Sequence, residues 1–337
     1  MKNDSQKDRS IEARADCSID FAVGGQAVIE GVMMRSPHFY TVSVRDKDGK
    51  IHMMQKRFES LTKRAVFGRV KIFGVPIVRG IVHLIESMAI GFKALNYSNS
   101  IFLGEDLDED GSPEARKERG MAMKILFGIL GFLYVVGTLA FAIFLLKFLP
   151  LWVAEKAAET WAFVETNYLV FNAIDGLTKI TIFLGYILLI SLMKDIRRVF
   201  EYHGAEHKAI WAYEASLELT VKNAGKQTRF HPRCGTSFIF IVILMSILIY
   251  TVIPPADGFW LKLGDRLMVI PVIAGLSYEL LKLSAKFSGN AVVRAFTWPG
   301  LWIQRLTTRE PDDSQLEIAL HSLKESLKVE GDENQKE

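Results

Sequence analysis

The sequence predicts an α-helical integral membrane protein of about four spans, with both termini cytoplasmic, a small N-terminal antiparallel β element and a cytoplasmic C-terminal amphipathic helix. Three observations lead there. Of 337 residues, 50% are hydrophobic and only 23% are charged, and the mean hydropathy is +0.18, whereas soluble domains usually sit below zero. Long apolar runs fill much of residues 124–285. Basic residues gather on one side of those runs, which sets an orientation. Composition also excludes classes. Extended disorder is ruled out by the apolar surface available for burial. The net charge is +3, from 41 basic and 38 acidic residues, without the concentrated positive charge that a nucleic-acid partner demands. Two cysteines, Cys17 and Cys234, are too few for a disulfide framework and fit a reducing, cytoplasm-facing part.

Residues 1–18 are polar and mixed in charge and are expected to be a disordered tail. They lack the basic start, apolar core and cleavage site of a signal peptide. Residues 19–60 have strand character: Ala27-Val28-Ile29, Val32-Met33-Met34, Tyr40 to Val44 and Ile51 to Met54 alternate with turn formers. Asp48-Gly49 between two such runs is a hairpin signal. A sheet of about 40 residues is small for an independent unit, so it is expected to lean on another element. Tight turns and a bulge account for Gly24, Gly25 and Gly31. Residues 70–97 read as an interfacial or re-entrant helix, with Arg79, His83 and Glu86 on one face as a polar stripe. Residues 104–120 form a charged linker.

Residues 124–285 make the expected membrane domain, with spans at Ile125–Val153, Ile174–Met193, Ser237–Ile253 and Leu267–Leu283. Arg116, Lys117, Arg119 and Lys124 precede the first span, and the loop after it carries only Lys156. The loop over residues 194–236 carries Lys194, Arg197, Arg198, Lys208, Lys222, Lys226, Arg229 and Arg233. That distribution makes this loop and both termini cytoplasmic. Residues 286–329 form a cytoplasmic helical segment. It holds a helix start at Pro311-Asp312-Asp313 and an apolar stripe of Leu316, Leu320, Leu323 and Leu327. Residues 330–337 are a second disordered tail.

The chemistry concentrates in the cytoplasmic loop. His203 and His207 lie one helical turn apart on one face, within reach of a single metal ion, and Glu206 lies beside them. His-x-x-Glu-His is the inverted zincin order, in which two His bind zinc and the Glu works on a water. The rival reading is an exposed polar helix with two surface His. His231 and Cys234 add a second short-spaced pair in the same loop, a layout like that of structural zinc sites. The rival there is a small buried Cys capping the third span. Glu279, in the fourth span near its cytoplasmic end, is an ionisable group in an apolar run, and therefore either a further ligand or a snorkelling partner of Lys282. One difficulty is geometric. If the second span ran on as a straight helix, His203 would lie about 15 Å beyond it. The chain must therefore bend, and Gly204 is suited to let another segment approach.

Four stretches, GGQAVIEGVMMRSP (Gly24–Pro37), EYHGAEHK (Glu201–Lys208), HPRCGTSF (His231–Phe238) and SYE (Ser277–Glu279), resemble the YqhQ family of bacterial membrane proteins. The resemblance covers roughly residues 20–325. It implies a membrane location and, from the family's designation as predicted metal-dependent enzymes, a metal site; it names no reaction.

Three functions remain in view. The first is a zinc-dependent hydrolase at the cytoplasmic face of the cell membrane, with His203 and His207 as ligands, Glu279 or His231 as the third, and Glu206 as general base. The second is a non-enzymatic protein with a closed structural Zn2+ site made of His203, His207, His231 and Cys234, its β element docking a partner. The third is solute or lipid handling by Glu279, Asp175 and Lys179. Expected partners are membrane lipid, an unnamed substrate or protein, and further copies of the chain.

Overall fold

Turn chemistry builds the N-terminal sheet. The computed structural model describes residues 23–61, 76–105, 121–253, 256–287 and 290–334; the tail over 1–18 and most of the 104–120 linker lie outside them. Strands β1 (Gly24–Val28), β2 (Gly31–Arg35), β3 (Phe39–Arg45) and β4 (Ile51–Arg57) pair antiparallel in sequence order. The Asp48-Gly49 hairpin forms as the sequence expects. The Asp46 carboxylate accepts from the Asp48 and Lys50 amides, each at 2.9 Å, and Gly49 supplies φ +84. Gly24 and Gly25 are not turn residues: they lie in β1. The β1–β2 turn puts Glu30 at φ +51, a region a side chain rarely enters. Its carboxylate accepts from the Arg198 guanidinium and, at 3.2 Å, from the Tyr202 hydroxyl, which pins the turn to a helix.

The sheet leans on helices from both sides. One face, with Met33, Tyr40, Val42, Val44 and Met54, packs on Ile90, Ala94, Tyr97 and Ile101 of α1 (Pro76–Leu103). Those four recur at helical spacing and form one stripe. The other face, with Val32 and Met34, packs on α6 (Lys194–Glu214) and α12 (Asp313–Asn334). The predicted leucine stripe explains α12: Leu316, Leu320 and Leu323 are buried and Leu327 packs beside them. Polar contacts fix the register, since the Ser322 hydroxyl donates to the Thr41 carbonyl at 2.9 Å.

Between these lie α2 (Met121–Ile143), which runs through a π-helical turn at Phe144–Phe148 into α3 (Leu149–Thr160), then α4 (Ala162–Thr166) and α5 (Tyr168–Ile190). After α6 come α7 (Val221–Gly225), α8 (Gly235–Val252), α9 (Phe259–Met268), α10 (Ile270–Lys286) and α11 (Ala291–Thr307). Among the described residues three stretches are long and apolar enough to cross a membrane: Gly128–Thr160, Tyr168–Ile190 and Gly235–Val252. The pair α9 and α10 makes a fourth if counted as one broken span, bent by 43°. The break falls just before Pro271, which has no N–H to continue the helix of α9. Buried charges tie these stretches together. Asp175 pairs with Lys179 and, at 2.5 Å, with Arg266. Lys147 donates to the Tyr250 hydroxyl at 2.9 Å.

Candidate metal centre

The chain turns between α5 and α6. Ser191 to Met193 interrupt the helix, and Met193 is extended at ψ 132. This supplies the bend that the sequence required. Gly204 then lets the backbone of Arg309 approach: a Cβ at that position would collide with the Arg309 carbonyl oxygen. The Arg309 amide donates to the Phe200 carbonyl at 2.8 Å. The segment joining α11 to α12 is thereby laid along α6, beside His203.

The two imidazoles are held by backbone carbonyls. His203 Nδ1 lies 2.8 Å from the Thr307 oxygen and His207 Nδ1 lies 2.6 Å from the Arg229 oxygen. A carbonyl can only accept, so each Nδ1 carries the proton and donates. When neutral, each ring therefore offers its Nε2 lone pair. Cys234 caps the N-terminus of α8, its sulfur accepting from the Thr236 amide at 3.4 Å. His203 Nε2 is 3.2 Å from Cys234 Sγ. One donor atom from each of His203, His207 and Cys234 falls within 4.8 Å of the others, so the three could hold one metal ion.

The charges in this group depend on one another. Burial alone would push the Cys234 thiol up, but His203 and His207 outweigh it and hold the thiol well below its ordinary range. Burial would pull the His203 imidazole down, but the Cys234 thiolate outweighs it and holds the ring above its ordinary value. Glu206 is 5% exposed, and burial pushes its carboxyl up, opposed by His207 and His203. Among the described residues it has no hydrogen-bond partner. β1 passes directly over it at Gly25, where a Cβ would lie 2.7 Å from Glu206 Cγ. His203, Glu206, His207 and Cys234 all line one cavity of about 410 Å3 between β1, α6 and the start of α8.

Two residues expected among the ligands stand apart from this group. His231 lines the cavity, but its ring nitrogens are engaged elsewhere: Nδ1 accepts from the Arg233 amide at 3.3 Å and Nε2 lies 3.4 Å from Glu214. Its backbone is clamped by Gln304, at 2.8 and 2.7 Å, and burial lowers its pKa to about 4, so the ring is neutral. Glu279 is further removed. It accepts from Arg79 of α1 in a two-pronged ion pair at 3.1 and 2.8 Å. The physical reason is a close helix crossing, in which a Cβ on Gly80 would lie 2.8 Å from the Gly275 carbonyl oxygen. The sequence expected Glu279 beside the His/Cys group, but α1 supplies it with a cation instead. The other members of the expected α1 stripe are also engaged: Glu86 accepts from the Ser60 hydroxyl at 3.0 Å, and His83 lies 3.1 Å from Glu86.

Sequence reasoning missed Gly25, Gln304 and the Thr307 and Arg229 carbonyls. Backbone carbonyls have no residue signature, and the Gly24-Gly25 pair fitted a turn equally well.

A family model described as "Protein of unknown function (DUF1385)" matches residues 75–329. Uncharacterized protein YqhQ of Bacillus subtilis (strain 168) is 37% identical over 318 residues, covering 94% of this chain and 96% of that protein. No solved structure matches.

Proposed function

The chain belongs to the DUF1385 family, whose description names no activity, so we propose a function from the site itself: a metal-dependent hydrolase at the cytoplasmic face of the cell membrane, with zinc held by His203, His207 and Cys234. The observation that carries this reading is the paired carbonyl support. Ligating imidazoles characteristically donate their second N–H to a carbonyl or carboxylate, which fixes the tautomer and aims the other nitrogen. Both His203 and His207 do so. Two imidazoles and a thiolate are a donor set suited to zinc.

Three protein donors beside a cavity favour an open site over a closed one. The closed set would need His231, whose nitrogens serve Arg233 and Glu214. A zinc ion bound there supplies Lewis acidity and lowers the pKa of a water it binds. Glu206 supplies the proton transfer. Its carboxylate lines the same cavity and has no competing hydrogen bond, and burial raises its pKa, which favours its taking a proton from water. The basic residues of the 194–236 loop orient the site toward the cytoplasm, and the apolar stretches anchor it.

X-ray absorption at the zinc edge of the purified protein tests the reading. The expected shell is two imidazole nitrogens, one sulfur at about 2.3 Å and one exchangeable oxygen. Glu206→Gln should leave that shell intact. A shell without sulfur, or a fourth protein nitrogen that no added ligand displaces, would overturn the open-site reading.

A further inference from the structure

β1 is the first strand of the sheet, paired on one side with β2 and, among the described residues, with no strand on the other. A strand edge presents alternating N–H and C=O groups at a two-residue period. This edge is not left to bulk solvent. Val23, Gly24, Gly25, Gln26 and Ala27 all line the cavity that holds Glu206 and the His/Cys group. The middle of β1 is half-buried, so it is accessible from the cavity without being stripped by solvent. Gly24 brings no side chain, and nothing lies within 4 Å of where its Cβ would be, which allows another backbone to come close.

Resting on the hydrolase reading above, we infer that the substrate is a polypeptide, held extended by strand addition to the free edge of β1. Backbone pairing gives affinity in this mode, and pockets under alternate side chains give selectivity. Phe200, Ile210 and Ile239 provide apolar lining of that kind. A phosphate-bearing lipid headgroup fits less well. Arg233 is the one Arg or Lys among the lining residues, and it is paired with Glu214. The cavity also reaches the first turn of α8, so the peptide lies beside a candidate span. A segment flanking the membrane in another protein has that position.

The reaction balances with water as the only co-reactant. Water oxygen bonds to the peptide carbonyl carbon while Glu206 takes one of its protons. The C–N bond breaks as Glu206 returns that proton to the leaving nitrogen, which gives a carboxylic acid and an amine; the second water proton then passes from the acid to the amine or to solvent, leaving a carboxylate.

The test uses full-length Glu206→Gln protein in detergent and a synthetic pool of random nonapeptides. Retained peptides are sequenced and remade with single backbone N-methyl groups, and zinc is measured in the same sample. Strand addition predicts that N-methylation weakens binding about tenfold at alternate positions and little between them. It also predicts that bound peptide slows hydrogen exchange at amides of Gly24–Val28, with Ile51–Arg57 of β4, the opposite edge, unchanged. No retained peptide, loss without a two-residue period, or protection only at β4 would overturn the inference. Period-two binding by protein that holds no zinc even when supplied with it would support strand addition and overturn the hydrolase reading instead.

Discussion

Replacing Gly25 with alanine probes the contact that joins the sheet to the candidate centre. The new methyl would lie 2.7 Å from Glu206 Cγ and 2.9 Å from both Cδ and Oε1. Ordinary van der Waals contact begins near 3.4 Å, so β1 and α6 must part by about 0.7 Å or the Glu206 side chain must leave its place. Overpacking of this kind costs about 1–3 kcal/mol. Gly25 does not have a positive φ, so alanine suits its backbone and recovers about 0.4–1 kcal/mol through the unfolded state. A net loss of up to about 2.6 kcal/mol follows. Because the three nearest atoms all belong to Glu206, the cost should vanish when Glu206 is shortened. In a Glu206→Ala background Gly25→Ala should be neutral or slightly stabilising, a coupling of about 1–3 kcal/mol in a double-mutant cycle. Unfolding of the four proteins in one detergent, followed by tryptophan fluorescence, reads the cycle. Additive costs would refute the packing of β1 on Glu206.

Two further predictions concern charge. Asp175→Asn removes the carboxylate that Lys179 and Arg266 share in a fully buried setting; it should cost about 3–5 kcal/mol, read as a lower unfolding midpoint, because two cations lose their counter-charge. Metal affinity should rise with pH. The metal-free site holds Cys234 as thiolate and His203 as imidazolium, and binding must expel the His203 proton. Below the raised His203 pKa, affinity should therefore climb about tenfold per pH unit and then level off above it. A competition titration against a chelator from about pH 6 to pH 8 checks this; a flat profile would contradict the thiolate–imidazolium pair.

Local signals carried the fold, and long-range ones escaped. Asp48-Gly49 announced a hairpin because turn geometry is encoded in adjacent residues, and the stripe from Leu316 to Leu327 announced α12 because helical period is local. The His203–His207 pair was legible for the same reason, since spacing alone puts them on one helical face. Cys234 could be drawn in by loop proximity. Nothing in sequence spacing could say that Gly80 and Gly275 cross closely enough to give Glu279 an arginine. Nor could it say that Gln304 clamps the backbone of His231. Those outcomes depend on contacts between residues far apart in the chain. The fourth apolar run was visible, but its 43° bend was foreshadowed only by Pro271.

The central claim is a three-donor metal group that includes Cys234 and excludes Glu279. Metal content by elemental mass spectrometry tests it most directly, on wild type, His203→Ala, Cys234→Ser and Glu279→Gln purified side by side with zinc supplied. The account predicts about one zinc per chain in wild type and in Glu279→Gln, with loss in His203→Ala and Cys234→Ser. Zinc retained at full occupancy in Cys234→Ser, or lost in a folded Glu279→Gln protein, would contradict it.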